Sequence, residues 1–196
     1  HRAEPTDPHR YPRSVGTSVR SAAGGRTRHL RMSAPEQRPH VSTDDFQAIE
    51  RLQHRYVDAV IHRNGVQWAT TWSDDATWDL GRGRLVHGKA DIVALWYQAM
   101  KGMHAVFQAV HTGEVRYGDT TDTATGRWYI NEWFRRADGS NNVLLAHYDD
   151  EYVKVDGEWL FSRRFLQSHY SGSADLTADF TNNHEALVER GVPSDV

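Results

Sequence analysis

The sequence has no cysteine, which excludes disulfide staples, thiolate nucleophiles and cysteine-bound metals. No apolar run approaches the ~18 residues that a membrane-crossing helix needs, so no membrane partner is expected. Neither sign of charge dominates. Lys and Arg number 23 against 26 Asp and Glu, a net charge of −3, and no field that would draw nucleic acid follows from that balance. A glycine-rich phosphate loop is also absent. A chain of 196 residues suits one ordinary domain rather than two, and a cytoplasmic location is expected. Aromatic residues are plentiful: seven Trp, eight Tyr and six Phe. Such side chains fill cores and also line pockets for flat apolar ligands.

Residues 1–40 differ from the rest. They hold eight arginines and almost no large apolar side chain, so they cannot bury enough surface to offset the entropy of ordering. A disordered extension is expected there. From Ser42 the pattern changes. Ser42-Thr43-Asp44-Asp45 reads as a helix cap, and Phe46, Ile49, Leu52, Tyr56, Ala59 and Val60 follow as one apolar stripe. Asn64-Gly65 closes that helix, and a short helical stretch covers Val66 to Trp72. Ala76 to Leu80 reads as a strand turned back by Gly81-Arg82-Gly83 through Leu85 to His87. Lys89 to Met103 is an amphipathic helix. Four long strand-like segments complete the pattern: His104 to Tyr117, Thr123 to Arg136, Val143 to Val155, and Glu158 to His169. Asp138-Gly139 and Asp156-Gly157 are hairpin signals between them. Helices followed by a long antiparallel sheet mean α+β, with the helices on one face of a curled, mostly antiparallel sheet. Residues 173–196 turn polar, with a short helix expected around Asn183 to Arg190.

Period-two alternation places His111 with Phe107, Ala109, Val115 and Tyr117, hence in apolar surroundings suited to a near-neutral imidazole base. Tyr56 lies on the inward stripe of the first helix. Glu132 shares a strand face with Trp128, Ile130 and Phe134, where a carboxylate needs a partner; His111, Arg127, Arg135 and Arg164 are the candidates. The same residue types also serve as plain core groups. Of the 12 histidines, His54 and His62 with Asp58 have ligand spacing, but that stripe lies away from the apolar one and reads as solvated. No metal and no cofactor is expected.

Several segments carry a resemblance. Ile49-x-x-Leu52-x-x-x-Tyr56 followed by Thr71-Trp72-Ser73-Asp74-Asp75-Ala76-Thr77-Trp78, then His111-Thr112-Gly113-Glu114, Thr123 to Tyr129, and Glu151-Tyr152-x-x-x-Asp156-Gly157-x-Trp159-x-Phe161-Ser162 together resemble the SnoaL-like (nuclear-transport-factor-like) superfamily. The nearest branch is that of the bile-acid 7α-dehydratases, scytalone dehydratase and lindane dehydrochlorinase. The resemblance implies a cone-shaped α+β barrel over about 130 residues, enclosing an apolar pocket. It implies a cofactor-free lyase or isomerase with His111 as base, Tyr56 as carbonyl donor and Glu132 orienting the imidazole. Trp78, Asp79, Trp128, Asn131, His147 and Arg164 are the expected substrate-binding residues. A hydrophobic cyclic small molecule is the expected substrate, and a homodimer or homotrimer the expected assembly. Many relatives carry an aspartate five residues after the tyrosine; here Ile61 stands at that place. A SnoaL-type cyclase and a non-catalytic binding module are therefore the alternatives.

Overall fold

The computed structural model describes residues 38–179. The expected N-terminal extension up to residue 37 and the expected helix near Asn183 lie outside the described residues. α1 (Thr43–His62) starts where the Ser42 hydroxyl accepts the Asp45 N–H at 3.1 Å, with Asp44 and Asp45 in its first turn, where acidic groups suit the positive end of the helix dipole. It stops at Arg63, which takes a left-handed φ of 54°. α2 (Gly65–Ala69) is a single short turn capped by Asn64. β1 (Trp72–Asp79) and β2 (Leu85–His87) form a hairpin over Gly81, Arg82 and Gly83, all at positive φ. α3 (Lys89–Lys101) precedes β3 (Met103–Tyr117), β4 (Thr123–Arg136), β5 (Asn141–Val155) and β6 (Glu158–Ser173).

The six strands form one curled, open sheet in the order β2-β1-β6-β5-β4-β3. β1 pairs parallel with β6, and every other pair is antiparallel. Ahead of α1, residues expected to pack little do dock: the Tyr117 N–H donates to the Pro39 carbonyl at 3.0 Å, and His40 bridges Arg116. The packed region thus starts at least as early as Pro39.

Facing the helices, the sheet presents successive cross-strand rows: Gln108-Glu132-Leu144, Val110-Ile130-Ala146, Gly113-Trp128-Tyr148-Leu166, then Gly126-Asp150-Arg164 and Ala124-Tyr152-Phe161. Trp68, Trp72, Trp78 and Trp96 pack together between α2, α3 and β1, with ring centroids 5.0–5.9 Å apart. Each indole removes on the order of 200 Å² from water, roughly 5 kcal/mol, so this nest anchors α2 and α3 to the sheet. Asp45 fastens the start of α1. Its carboxylate accepts the Tyr117 hydroxyl (2.6 Å), the Lys154 ammonium (2.6 Å) and the Trp159 indole N–H (2.8 Å), from β3, β5 and β6.

One irregularity matters for function. Between Val110, opposite Ile130, and Gly113, opposite Trp128, β3 advances three residues while β4 advances two. This β-bulge at His111-Thr112 reverses the odd–even sense of the strand. Before it, Val106, Gln108 and Val110 face the helices; after it, Gly113, Val115 and Tyr117 do. Gly113 is required at this point, since a Cβ there would lie 2.3 Å from the Trp128 ring.

Candidate active site

α1, lying across the sheet, lowers two polar side chains onto its helix-facing surface. Gln53 interrupts the apolar stripe and reaches the Asp150 carboxylate at 2.8 Å and the Tyr152 hydroxyl at 2.8 Å. Arg164, only 1% exposed, donates from Nε to Asp150 Oδ1 at 2.9 Å and from Nη2 to Gln53 Oε1 at 2.9 Å. A buried charge needs such pairing. Burial raises the Asp150 pKa, and the Arg164 charge draws it back down.

Above this pair lies Tyr56. The Arg164 guanidinium sits 4.3 Å from the Tyr56 ring centroid and 3.8 Å from that of Tyr148. The two rings meet edge to face with centroids 6.3 Å apart, and the Arg164 charge favours ionisation of both. Burial nevertheless keeps both pKa values above the ordinary range, against the pull of Arg164. At neutral pH both are protonated donors.

Glu132 is the remaining inward acid. It is 9% exposed, and Gln108 Nε2 donates to its Oε2 at 2.7 Å. Burial pushes its pKa up to about 7, with the Gln108 bond pulling the other way. Its charge is felt by both Tyr56 and Tyr148. Around it, Ile130, Ala146 and Tyr148 make an apolar cluster, edged by Val110, Leu144 and Leu166, which are only half-buried. Here the helix-facing side keeps an open apolar wall beside its acid.

The structure brings Tyr56, Glu132, Arg164, Trp78 and Trp128 to this side of the sheet. It does not bring His111. That side chain is exposed on the bulge, and the expected neighbours divide: Phe107 is 55% exposed on the outer face, while Val115 is buried under α1. Alternation extended across the bulge gave the wrong face. Glu132 accordingly pairs with Gln108, not with an imidazole. Asn131, His147 and Asp79 also lie on the outer face. Asn131 stands opposite Leu145; His147 Nδ1 meets His169 Nε2 at 2.7 Å; Asp79 accepts the Gly81 N–H at 2.9 Å and faces Arg163 at 3.5 Å. None of the three can line a pocket with Tyr56. Trp78 and Trp128 are core side chains, the former in the tryptophan nest and the latter stacked on Phe46 at 5.9 Å. Asp58 and His62 form an exposed pair at 3.1 Å, as their place off the apolar stripe implied.

Four site residues escaped sequence reading: Gln53, Gln108, Tyr148 and Asp150. Gln53 and Asp150 had a usable signal, since each puts a polar group at an inward position of an otherwise apolar period. Gln108 was masked by the bulge.

The model of the SnoaL-like domain family matches residues 41–165. Among solved structures, the chain is similar to a scytalone dehydratase-like protein from Novosphingobium aromaticivorans, with a TM-score of 0.63 and 18% identity over 71% of this chain and 92% of that one. It is also similar to a type 3 hexachlorocyclohexane dehydrochlorinase from Novosphingobium barchaimii, with a TM-score of 0.62 and 20% identity over 70% and 94%. A third likeness is to a protein from Kribbella flavida, with a TM-score of 0.60 and 21% identity over 68% and 96%. At these identities the likeness is one of fold. Among the described residues no helix is long and apolar enough to cross a membrane.

Proposed function

The chain belongs to the SnoaL-like family, and from that premise we propose that it is a cofactor-free lyase or isomerase of hydrophobic cyclic carbonyl compounds, with Glu132 as its proton acceptor. One observation carries this reading: a carboxyl group on the helix-facing side, with a pKa pushed up to about 7 and within electrostatic reach of two protonated phenols. A base with a pKa near the working pH combines adequate ionisation with adequate proton affinity. Glu132 takes the proton from the carbon next to the carbonyl. The Tyr56 hydroxyl donates to the carbonyl oxygen as it gains enolate charge. The Arg164 cation beneath both rings favours that charge, and Asp150 and Gln53 hold it in place. Val110, Ile130, Leu144 and Leu166 supply the apolar wall.

His111 has no part in this scheme, and neither does an acid at position 61. Ile61 is also what a non-catalytic binding module would carry, and one experiment separates the two. Cyclohexanone in deuterated buffer, followed by NMR, loses α-protons faster with the wild type than with Glu132→Gln or Tyr56→Phe if the chain is an enzyme of this kind. Equal rates for all three would leave only the binding module. The apolar side chains exposed on the outer face, Phe107, Tyr129 and Trp133, support a homodimer or homotrimer joined there. A monomer by light scattering at micromolar concentration would overturn that part.

A further inference from the structure

Gln108 is 3% exposed. Its Nε2 is occupied by the Glu132 carboxylate at 2.7 Å, while its Oε1 is buried with no hydrogen-bond partner among the described residues. A buried, unpaired acceptor is destabilising, a cost removed by anything that brings an O–H or N–H donor to that oxygen. Gln108 and Glu132 stand directly opposite each other on β3 and β4, so a group bound at Oε1 lies next to the carboxyl group. Val110 and Ile130 pair in the adjoining row and give that group an apolar backing. We propose that Gln108 is a specificity-determining residue that accepts a hydrogen bond from a substrate hydroxyl, on the carbon beside the one that loses its proton, and thereby selects β-hydroxy ketones for dehydration.

The inference rests on the reading of Glu132 as base, and the chemistry balances without a co-reactant. Glu132 Oε1, the oxygen not held by Gln108, takes the α-proton, and the C–H electron pair becomes an enolate whose oxygen is held by Tyr56. The enolate then re-forms the ketone with a carbon–carbon double bond as the C–O bond breaks. The departing hydroxyl, steered by Gln108, takes the proton back from Glu132 and leaves as water. The carboxylate is regenerated in its starting form.

The test uses two probes, 3-hydroxycyclohexanone and cyclohexanone, on the full chain. Ligand-observed NMR titration should show the wild type binding the hydroxy ketone at least about fivefold more tightly, in line with satisfying one buried acceptor, and 2-cyclohexenone should appear by its ultraviolet absorbance. Gln108→Met keeps the volume and removes the acceptor, so the ratio of the two affinities should fall below about twofold. Because both ketones are measured on the same variant, a general loss of base strength or packing cancels in the ratio. Gln108→Glu, which retains an acceptor, should retain the preference, and it serves if Gln108→Met fails to fold. A wild-type preference under twofold, a preference that survives Gln108→Met, or binding of neither ketone overturns the inference. Failure of the underlying reading looks different: the hydroxyl preference persists, but cyclohexanone shows no α-proton exchange.

Discussion

Replacing Glu132 with Gln should make the protein more stable at alkaline pH. The folded-state pKa of Glu132 is about 7 against an ordinary 4.5, so folding favours the protonated form. The stabilisation this provides is complete below about pH 4.5 and is lost as pH rises through 7, where the carboxylate must ionise inside an apolar wall. The full difference is 2.5 pKa units, or about 3 kcal/mol at 1.36 kcal/mol per unit, a large share of the 5–15 kcal/mol typical of a whole domain. Glutamine keeps the shape, can still bond Gln108 and never ionises. Urea denaturation of both proteins at pH 5 and pH 8 reads the effect directly. Near pH 5 the two midpoints should lie close together; at pH 8 the variant should unfold about 1–2 M later, taking a slope near 2 kcal/mol per M. Coincident midpoints at pH 8 would show that Glu132 is solvated or carries another partner, and the base assignment would fall with it.

Asp150→Ala should cost about 3–5 kcal/mol by stranding the buried Arg164 charge, whereas Asp150→Leu combined with Arg164→Met should recover most of that loss; melting curves falling by about 10 °C for the single variant and by much less for the double one would agree. Gly113→Ala should destabilise by about 1–3 kcal/mol, because the added Cβ displaces Trp128 from Phe46, and near-ultraviolet circular dichroism would register the shifted indole. Asp45→Asn should loosen the start of α1. The Lys154, Tyr117 and Trp159 donors hold the Asp45 pKa below its ordinary 3.8, so the stabilisation is present above about pH 4 and is lost on acidification, and the variant should show a shallower acid limb. His111→Ala should leave α-proton exchange and melting temperature unchanged; a tenfold loss of exchange would restore the histidine as base.

The sequence was most legible where one periodicity ran unbroken. The α1 stripe from Phe46 to Val60 and the alternation of β4 placed the helix and strand as observed, and Tyr56 and Glu132 came out on the correct face. β3 misled because periodicity carries no mark of an extra residue: Phe107 and Val115 are both odd-numbered, yet they face opposite ways. Asn131 and His147 were polar residues on the right strands, and only cross-strand pairing, which is non-local, shows that they share a face with Leu145 and His169 rather than with Glu132. Arg164 was legible as a cation, but its partner was not, since Asp149 and Asp150 are adjacent and point to opposite sides. Asp149 meets Arg127 at 2.7 Å on the outer face and Asp150 meets Arg164 on the inner one.

The extra residue in β3 also has a genetic consequence. Losing one residue from the regularly paired stretches, Ala105 to Val110 or Gly113 to Tyr117, would invert every side chain on one side of the deletion. Losing His111 or Thr112 would restore regular alternation and leave Gln108, Val110, Gly113 and Val115 facing as they do now. What would change is curvature, because a bulge bends and twists its strand. A length polymorphism at this single spot would therefore act as a shape allele, flattening or tightening the wall around Glu132 without altering any residue that touches it.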